Sequence, residues 1–431
     1  MNYQQALDYI ASFGRFGSRP GLERMLWLLE RLDHPERSMR FVHVAGTNGK
    51  GSTTAFVHGI LQAAGYRVGM FTSPYLEAFT NRIGVNGQDI DQGKLASLVL
   101  RLQPLLDEIN ASELGPITQF EVTTALALCY YRETRVDLVV WEVGLGGRLD
   151  ATNVVTPLVS VITNIGMDHT EVLGNTLAEI AGEKAGIIKR GVPLVTAVEE
   201  DEAWQVIAGQ ATDLHAPVWR LGHDFHYARQ EFGIDGQSFS YRDQAGDTMR
   251  FSILLLGEHQ CRNAALAVAA VRQLEQLGLC ISPEAYADGL KHTRWPGRLE
   301  IMSRQPFVLV DGAHNPHGTR VLRQALLDYF PGRKLVMVLG ILKDKERQEM
   351  FGHLLPLASR VLFTAPQYGR ATDPETLLQE AAAFVVPATT TASVPEAIDQ
   401  ALDGLATDEV LLIAGSLYTV AEAREHLKQL L

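Results

Sequence analysis

The feature that most limits how this chain can fold is an alternation of short, uninterrupted apolar runs with amphipathic stretches. The runs are FVHVAG (41–46), VGMFT (68–72), DLVVWEV (137–143), LVSVITN (158–164) and PLVTAV (193–198). Between them lie segments such as STTAFVHGILQAAG (52–65) and FEVTTALALCYYRE (120–133). A strand that is apolar on both faces must be covered on both faces. The alternation therefore predicts an α/β fold around a mostly parallel sheet. Residues 215–256 read differently, with polar and apolar residues alternating and the turn pairs DG and AG, which predicts an antiparallel β insertion. After the Pro-Gly break in KHTRWPGRLE (291–300) a second α/β series follows: FVLVDGAHN (307–315), KLVMVLG (334–340), RVLFTAP (360–366) and EVLLIAG (409–415). The break predicts two domains, 1–296 and 297–431, the second of ordinary domain size.

Composition narrows the class of partner. A net charge of -12 over 431 residues argues against nucleic acid and anionic membrane surfaces, both of which would repel this chain. Cys129, Cys261 and Cys280 are far apart and lack metal-type spacing, which suggests a reducing compartment and no structural zinc. The first residues, MNYQQALDYI, show no basic segment followed by an apolar run, and no uncharged stretch approaches the ~20 residues that span a bilayer. A cytoplasmic protein is expected, with no nucleic-acid or membrane partner.

The chemistry-bearing residues stand at strand ends, where open parallel sheets bind ligands. HVAGTNGKGSTTAF (43–56) offers Gly46, Gly49 and Gly51, whose backbone N–H groups can face an anion. Lys50 can reach terminal phosphates, and a serine hydroxyl can sit on Mg²⁺. The spacing is irregular, however: Val44 stands where the usual pattern has glycine, and Gly51 stands where it has a hydroxyl. A tight strand-to-helix turn with a solvated lysine is the other reading. Glu142 closes an apolar strand, where a carboxylate needs a partner; a hard cation beside a phosphate loop would serve, and so would Arg148. Ser73 in TSPYL and His169 in GMDHTEVLG are ambiguous alone, as turn and capping residues. In TLAEIAGEKAGIIKRG, helical spacing puts Ile180, Lys184, Ile187 and Ile188 on one face. Such a lysine usually snorkels; buried, it favours its neutral, modifiable form. Asp311, His314 and Asn315 mark another strand end, as a binding cluster or as an Asx-type turn, and Arg298 is a phosphate contact or a surface charge.

Taken together, HVAGTNGKGS, FTSPYL, EVGLGGRLDATN, GMDHTEVLG, GEKAGIIK, WPGRLE and DGAHNP resemble the folylpolyglutamate synthase/dihydrofolate synthase family of Mur-type ligases, over nearly the whole chain. GTNGK is shared with murein ligases, while the Gly51-Ser52 continuation points to the folate branch. The resemblance implies a P-loop ATPase domain and a smaller Rossmann-like domain, with the active site in the cleft between them. It implies an ATP phosphate loop of Thr47, Asn48, Gly49, Lys50, Gly51 and Ser52, with Asn263, Arg298 and Asp311 as further nucleotide contacts. Ser73, Glu142 and His169 would serve an Mg²⁺ site, and Lys184 would be carbamylated. His314 would stand near the incoming glutamate. The pterin end would lie near Ser18–Pro20, Thr118, Gln119, Phe120 and Glu121, and Arg148, Leu149 and Asp150. The implied reaction uses ATP, L-glutamate and a folate or dihydropteroate, by way of an acyl phosphate, and a monomer is expected. A murein-type amino-acid ligase and a catalytically silent nucleotide-binding regulator are the alternatives. Gly51-Ser52 and FTSPYL weigh against the first, and the intact Lys50, Glu142, His169, Lys184 and His314 weigh against the second.

Overall fold

A computed structural model describes residues 1–14, 21–246 and 248–431, so Ser18–Pro20 lies outside the described residues. These residues form two compact units. One comprises 1–228, 239–252 and 262–293, and the other 229–238, 253–261 and 294–431.

In the first unit the apolar runs become strands of one sheet: β1 (Arg40–Ala45), β2 (Val68–Phe71), β3 (Ile83–Val85), β4 (Gln88–Asp89), β5 (Leu138–Glu142), β6 (Val159–Ile162), β7 (Leu194–Thr196) and β8 (Val218–Arg220). Their order is β4-β3-β2-β5-β1-β6-β7-β8. All neighbours from β2 to β8 are parallel, while β3 and β4 add an antiparallel edge. From β1 the chain crosses toward β2; from β5, β6 and β7 it crosses the opposite way. Right-handed crossovers then place the Lys50–Ala63 helix on one face and the Leu177–Ala185 and Asp201–Asp213 helices on the other. The direction reverses at β1, so the loop that follows β1 lies at the switch point of the sheet.

Packing holds that loop's supports in place. Phe41, Phe71, Val139 and Trp141 of the sheet meet Met25, Leu98, Leu102, Val122 and Leu126 in one core cluster. A fully buried Phe side chain such as Phe41 or Phe71 contributes about 1.5–3 kcal/mol. Further along the strands, Ala45, Val143 and Ile162 pack with Ile180, Ala181, Ala185 and Ile207. The Lys50–Ala63 helix crosses the Pro283–His292 helix at Gly59 and Gly289. A Cβ on Gly289 would lie 2.5 Å from backbone atoms of Ile60, so only glycine permits the approach.

The expected β insertion is β9 (Phe225–Gly233), β10 (Gly236–Asp243) and β11 (Thr248–Ile253), in the order β11-β10-β9. The two-residue link between β9 and β10 permits only antiparallel pairing. It begins at Phe225 instead of 215, because β8 belongs to the parallel sheet.

The second unit is built on β12 (Glu300–Arg304), β13 (Phe307–Val310), β14 (Lys334–Leu339), β15 (Ala358–Phe363), β16 (Ala388–Thr390) and β17 (Glu409–Ala414), ordered β12-β13-β17-β14-β15-β16. β12 is antiparallel and the rest are parallel. Leu309, Met337, Phe363 and Leu412 of the sheet pack with Leu322, Leu326, Phe351 and Leu377 of the covering helices. Among the described residues no helix is long and apolar enough to cross a membrane.

Candidate active site

The loop after β1 is shaped by glycines and pinned from β6. Gly46 and Gly49 have φ of +146° and +81°, conformations that suit glycine. Gly49 is the N-cap of the Lys50–Ala63 helix and, having no side chain, cannot itself cap the first turn. Asn164, just beyond β6, accepts the Thr47 N–H with its backbone carbonyl (2.9 Å) and the Asn48 N–H with its Oδ1 (2.9 Å). Thr47 Oγ1 exchanges bonds with the backbone of Gly166, and Thr163 Oγ1 donates to the Asn48 carbonyl at 2.6 Å. Asn263 leans on the loop from outside: a Cβ on Gly49 would fall 2.5 Å from its Oδ1. Ser52 is buried in the first helical turn. Backbone donors at an uncapped helix start, beside a lysine, form a ready anion site.

Two lysines meet at one carbonyl of this loop. Lys50 Nζ donates to Gly46 O at 3.0 Å and to Thr47 O at 3.3 Å. Lys184 Nζ reaches the same Gly46 O at 3.1 Å and is 4% exposed. Burial, and next the nearby Lys50 charge, push the Lys184 amine down to about 7; Asp168, Asp150 and Glu183 oppose the shift. The buried reading of Lys184 holds. Its helix, however, ends at Ala185, so Ile187 and Ile188 are buried beyond the helix instead of on its face.

Glu142 stands at the end of β5, in register with Val44 of β1, and is 4% exposed. Its Oε2 accepts the Ser73 N–H at 3.1 Å, which brings two of the expected metal-site residues together. Arg82 Nη1 donates to Ser73 Oγ at 3.0 Å, a contact sequence reasoning missed. Arg148 does not pair with Glu142. Its guanidinium binds Glu183 Oε1 through Nε (3.1 Å) and Nη2 (2.6 Å). His169 lies on the loop pinned by Gly166, at a left-handed φ of 51°, with Nε2 3.9 Å from Asp168 Oδ1. The buried Glu142 carboxylate and the Ser73 hydroxyl bring hard-oxygen donors together, and His169 carries an exposed imidazole on the loop after β6. Among the described residues there is no cluster of three or more His, Cys, Asp or Glu able to hold a metal. The carboxylate and hydroxyl oxygens are of the type that hard cations such as Mg²⁺ take, usually together with phosphate and water.

The residues expected at the pterin end are organised by each other. Thr118 caps the Gln119–Thr134 helix, and Glu121 returns the bond to Thr118 N–H and hydroxyl (2.8 and 2.7 Å) while pairing with Arg24 at 3.0 Å. The Gln119 N–H donates to Gly14 O at 2.9 Å. Phe120 packs against Gly144, where any Cβ would strike its ring. Asp150 accepts from Leu145 N–H (2.8 Å), Thr152 N–H (3.0 Å) and Thr152 Oγ1 (2.5 Å), and burial pushes its carboxyl up. Its oxygens shape the loop after β5, and Leu149 and Arg148 remain exposed on that loop.

In the second unit, Asp311 follows β13 and accepts Leu299 N–H at 2.7 Å and Ala313 N–H at 2.8 Å. Burial raises its carboxyl, and the Arg298 charge opposes this. His314 Nδ1 lies 2.8 Å from Gly312 O, which fixes the ring with Nε2 directed elsewhere. Asn315 caps the next helix through Gly318 N–H at 2.8 Å, so the Asx-type reading of that residue holds.

A glycine loop, a lysine and a buried carboxylate at the reversal point of a parallel sheet define the class of P-loop nucleotide-binding α/β proteins. Profile matches agree: residues 44–271 match the Mur ligase middle domain, and residues 297–417 match the Mur ligase glutamate ligase domain. The chain is 41% identical to the dihydrofolate synthase/folylpolyglutamate synthase of Bacillus subtilis (strain 168), over 99% of each chain. Mycobacterium tuberculosis folylpolyglutamate synthase complexed with ADP superposes with a TM-score of 0.92 at 33% identity, covering 99% of this chain and 98% of that one. A folylpolyglutamate synthase–AMPPCP–folate complex gives 0.87 at 35% identity, over 99% and 100%. The chain belongs to the folylpolyglutamate synthase/dihydrofolate synthase family of Mur ligases.

Proposed function

We infer that this chain is an ATP-dependent ligase that joins L-glutamate to folates. The observation that carries the reading is the uncapped glycine loop with Lys50 and Lys184 on one carbonyl, in a chain of this family. A carboxylate resists amine attack because its leaving group would be oxide. In the proposed course, a folate carboxylate oxygen attacks the γ-phosphorus of ATP and ADP leaves, giving an acyl phosphate. The glutamate nitrogen then attacks the acyl carbon, loses a proton, and phosphate departs. The loop N–H groups and Lys50 hold the phosphates and offset charge during transfer. Ser73, Glu142 and His169 are assigned to a bound Mg²⁺, which supplies further charge neutralisation when present. Lys184, whose amine burial lowers to about 7 so that the neutral form is well populated near neutral pH, is suited to carbamylation by CO₂, which requires the free amine. Asn263, Arg298 and Asp311 are assigned to the nucleotide, and His314 to the glutamate. Residues 118–121 and 148–150 are assigned to the folate; of these, Phe120 and Leu149 offer surface, whereas Glu121 and Asp150 hold the loops that present it.

Dihydropteroate is proposed as a second acceptor, supported by relatives named for both activities. The 1–296 part is assigned to ATP and the 297–431 part to glutamate, with action as a monomer in the cytoplasm. ADP release with glutamate, comparing dihydropteroate, tetrahydrofolate and a folyl-glutamate, tests the whole. Turnover with tetrahydrofolate or folyl-glutamate identifies the polyglutamate ligase, and turnover with dihydropteroate adds the synthase. ATP binding without glutamate-dependent turnover on any acceptor would leave a silent nucleotide-binding regulator.

A further inference from the structure

Asn153 closes the EVGLGGRLDATN segment and has no part in the assignments above. It is 7% exposed. Its Nδ2 donates to two backbone carbonyls from different elements, Arg148 O and Gly186 O, each at 3.0 Å. Gly186 directly follows the Leu177–Ala185 helix, whose last turn carries Lys184. The final carbonyls of a helix have no partner within it. Here the loop after β5 supplies partners: Arg148 N–H donates to Glu183 O at 2.7 Å, and Asn153 takes Gly186 O. The two strands of backbone lie so close that a Cβ on Gly147 would stand 2.8 Å from Glu183 O and 3.0 Å from Lys184 O. Asn153 Oδ1 is buried with no hydrogen-bond partner among the described residues, so the site uses the –NH₂ group.

We propose that Asn153 is a positioning residue for Lys184, tying the end of its helix to the loop after β5 so that Nζ stays on the Gly46 carbonyl of the phosphate loop. Helix ends fray first, and Lys184 is in the turn that would fray. The inference deepens the ligase reading and rests on it for the role of Lys184.

The test compares wild type with Asn153→Asp, which sets carboxylate oxygens against two carbonyls, and Asn153→Ser, which keeps a single donor. Three quantities are measured: kcat, KM for ATP, and the carbamate carbon signal after exposure to ¹³C-labelled CO₂. Loss of a partner that orients a metal-site ligand costs about 10–100-fold in activity, and for Asn153, which acts through backbone one step further out, that range is an upper bound. Asn153→Asp is expected to lose kcat within that bound, with KM for ATP changed much less than kcat, since Lys50 and the Asn164 and Thr163 contacts that hold the glycine loop are kept, and Asn153→Ser is expected to fall between. The carbamate signal should weaken in the same order. Equal kcat in wild type and both variants overturns the proposal, as does a fall in kcat matched by an equal rise in KM for ATP. If Asn153→Asp does not fold, as judged by circular dichroism, Asn153→Ser decides: a wild-type kcat overturns, and a severalfold loss supports. A wild type with turnover but no carbamate signal removes the carbamate assignment alone, and the kcat split still decides for Asn153.

Discussion

The two units each carry a sheet strand followed by a short loop and a helix, and the helix starts differ. After β1 the helix begins at Gly49, with a left-handed backbone and no side-chain cap. After β13 the helix begins at Asn315, whose Oδ1 takes the Gly318 N–H, and Pro316 at the first position has no N–H to give. One helix start therefore offers its amides outward, and the other consumes its own. The sequence marks both with polar residues after an apolar run. Only the first is a backbone cradle for an anion; the second leaves its chemistry to the side chains of Asp311 and His314.

The contrast can be broken most severely at Lys50. Lys50→Ala should lower turnover by about 10²–10³-fold or more, the scale for losing one preorganised charge contact to a transferring group; near-normal ADP release would remove it from phosphoryl transfer. Lys184→Ala should lose about 10–100-fold and recover in part with added acetate, whose carboxylate replaces the one a carbamate would provide. Failure of rescue together with an unmodified Lys184 in fully active enzyme would end that assignment. Asn315→Ala probes the self-capped start: it should cost about 1 kcal/mol of stability, read in denaturant melts, as lost N-caps do. An unchanged midpoint would show that the capping bond contributes nothing. The smallest effect is a slope. Folding lowers the Lys184 amine from 10.5 to about 7. Between those values the unfolded chain binds a proton that the folded chain does not, so stability rises with pH across that window. The penalty is complete below about 7 and gone above 10.5. Lys184→Met should flatten that rise by less than one proton's worth in CO₂-free melts, and an identical slope would count against the buried amine.

Much of this was legible because the apolar runs are long enough to read. Val42, Val44, Val139, Val140 and Val161 belong to strands buried on both faces, and composition alone exposes such strands. Strands β3, β4, β8 and β16 were not, since each has only two or three residues and partial exposure. Lys184 was readable as buried, but the periodicity ran past the true helix end at Ala185. Where the helix ends, its carbonyls meet the loop after β5, more than thirty residues away in sequence. The same distance hid the partner of Arg148, which proved to be Glu183. Thr163 and Asn164 close an apolar run and could have been noticed; that they grip the phosphate loop follows only from β6 lying beside β1.

The shared Gly46 carbonyl has one more consequence. A loop that gathers Lys50 and Lys184 on one oxygen is a place where a proton is held at a disadvantage. A polyphosphate arriving there reverses the local field and makes that proton welcome. For the unmodified amine near pH 7, nucleotide binding should draw a proton from solvent, so the heat of binding should change with the ionisation enthalpy of the buffer. Titration calorimetry in Pipes and in Tris would show the loop acting as a proton-coupled receptor before any bond is made or broken.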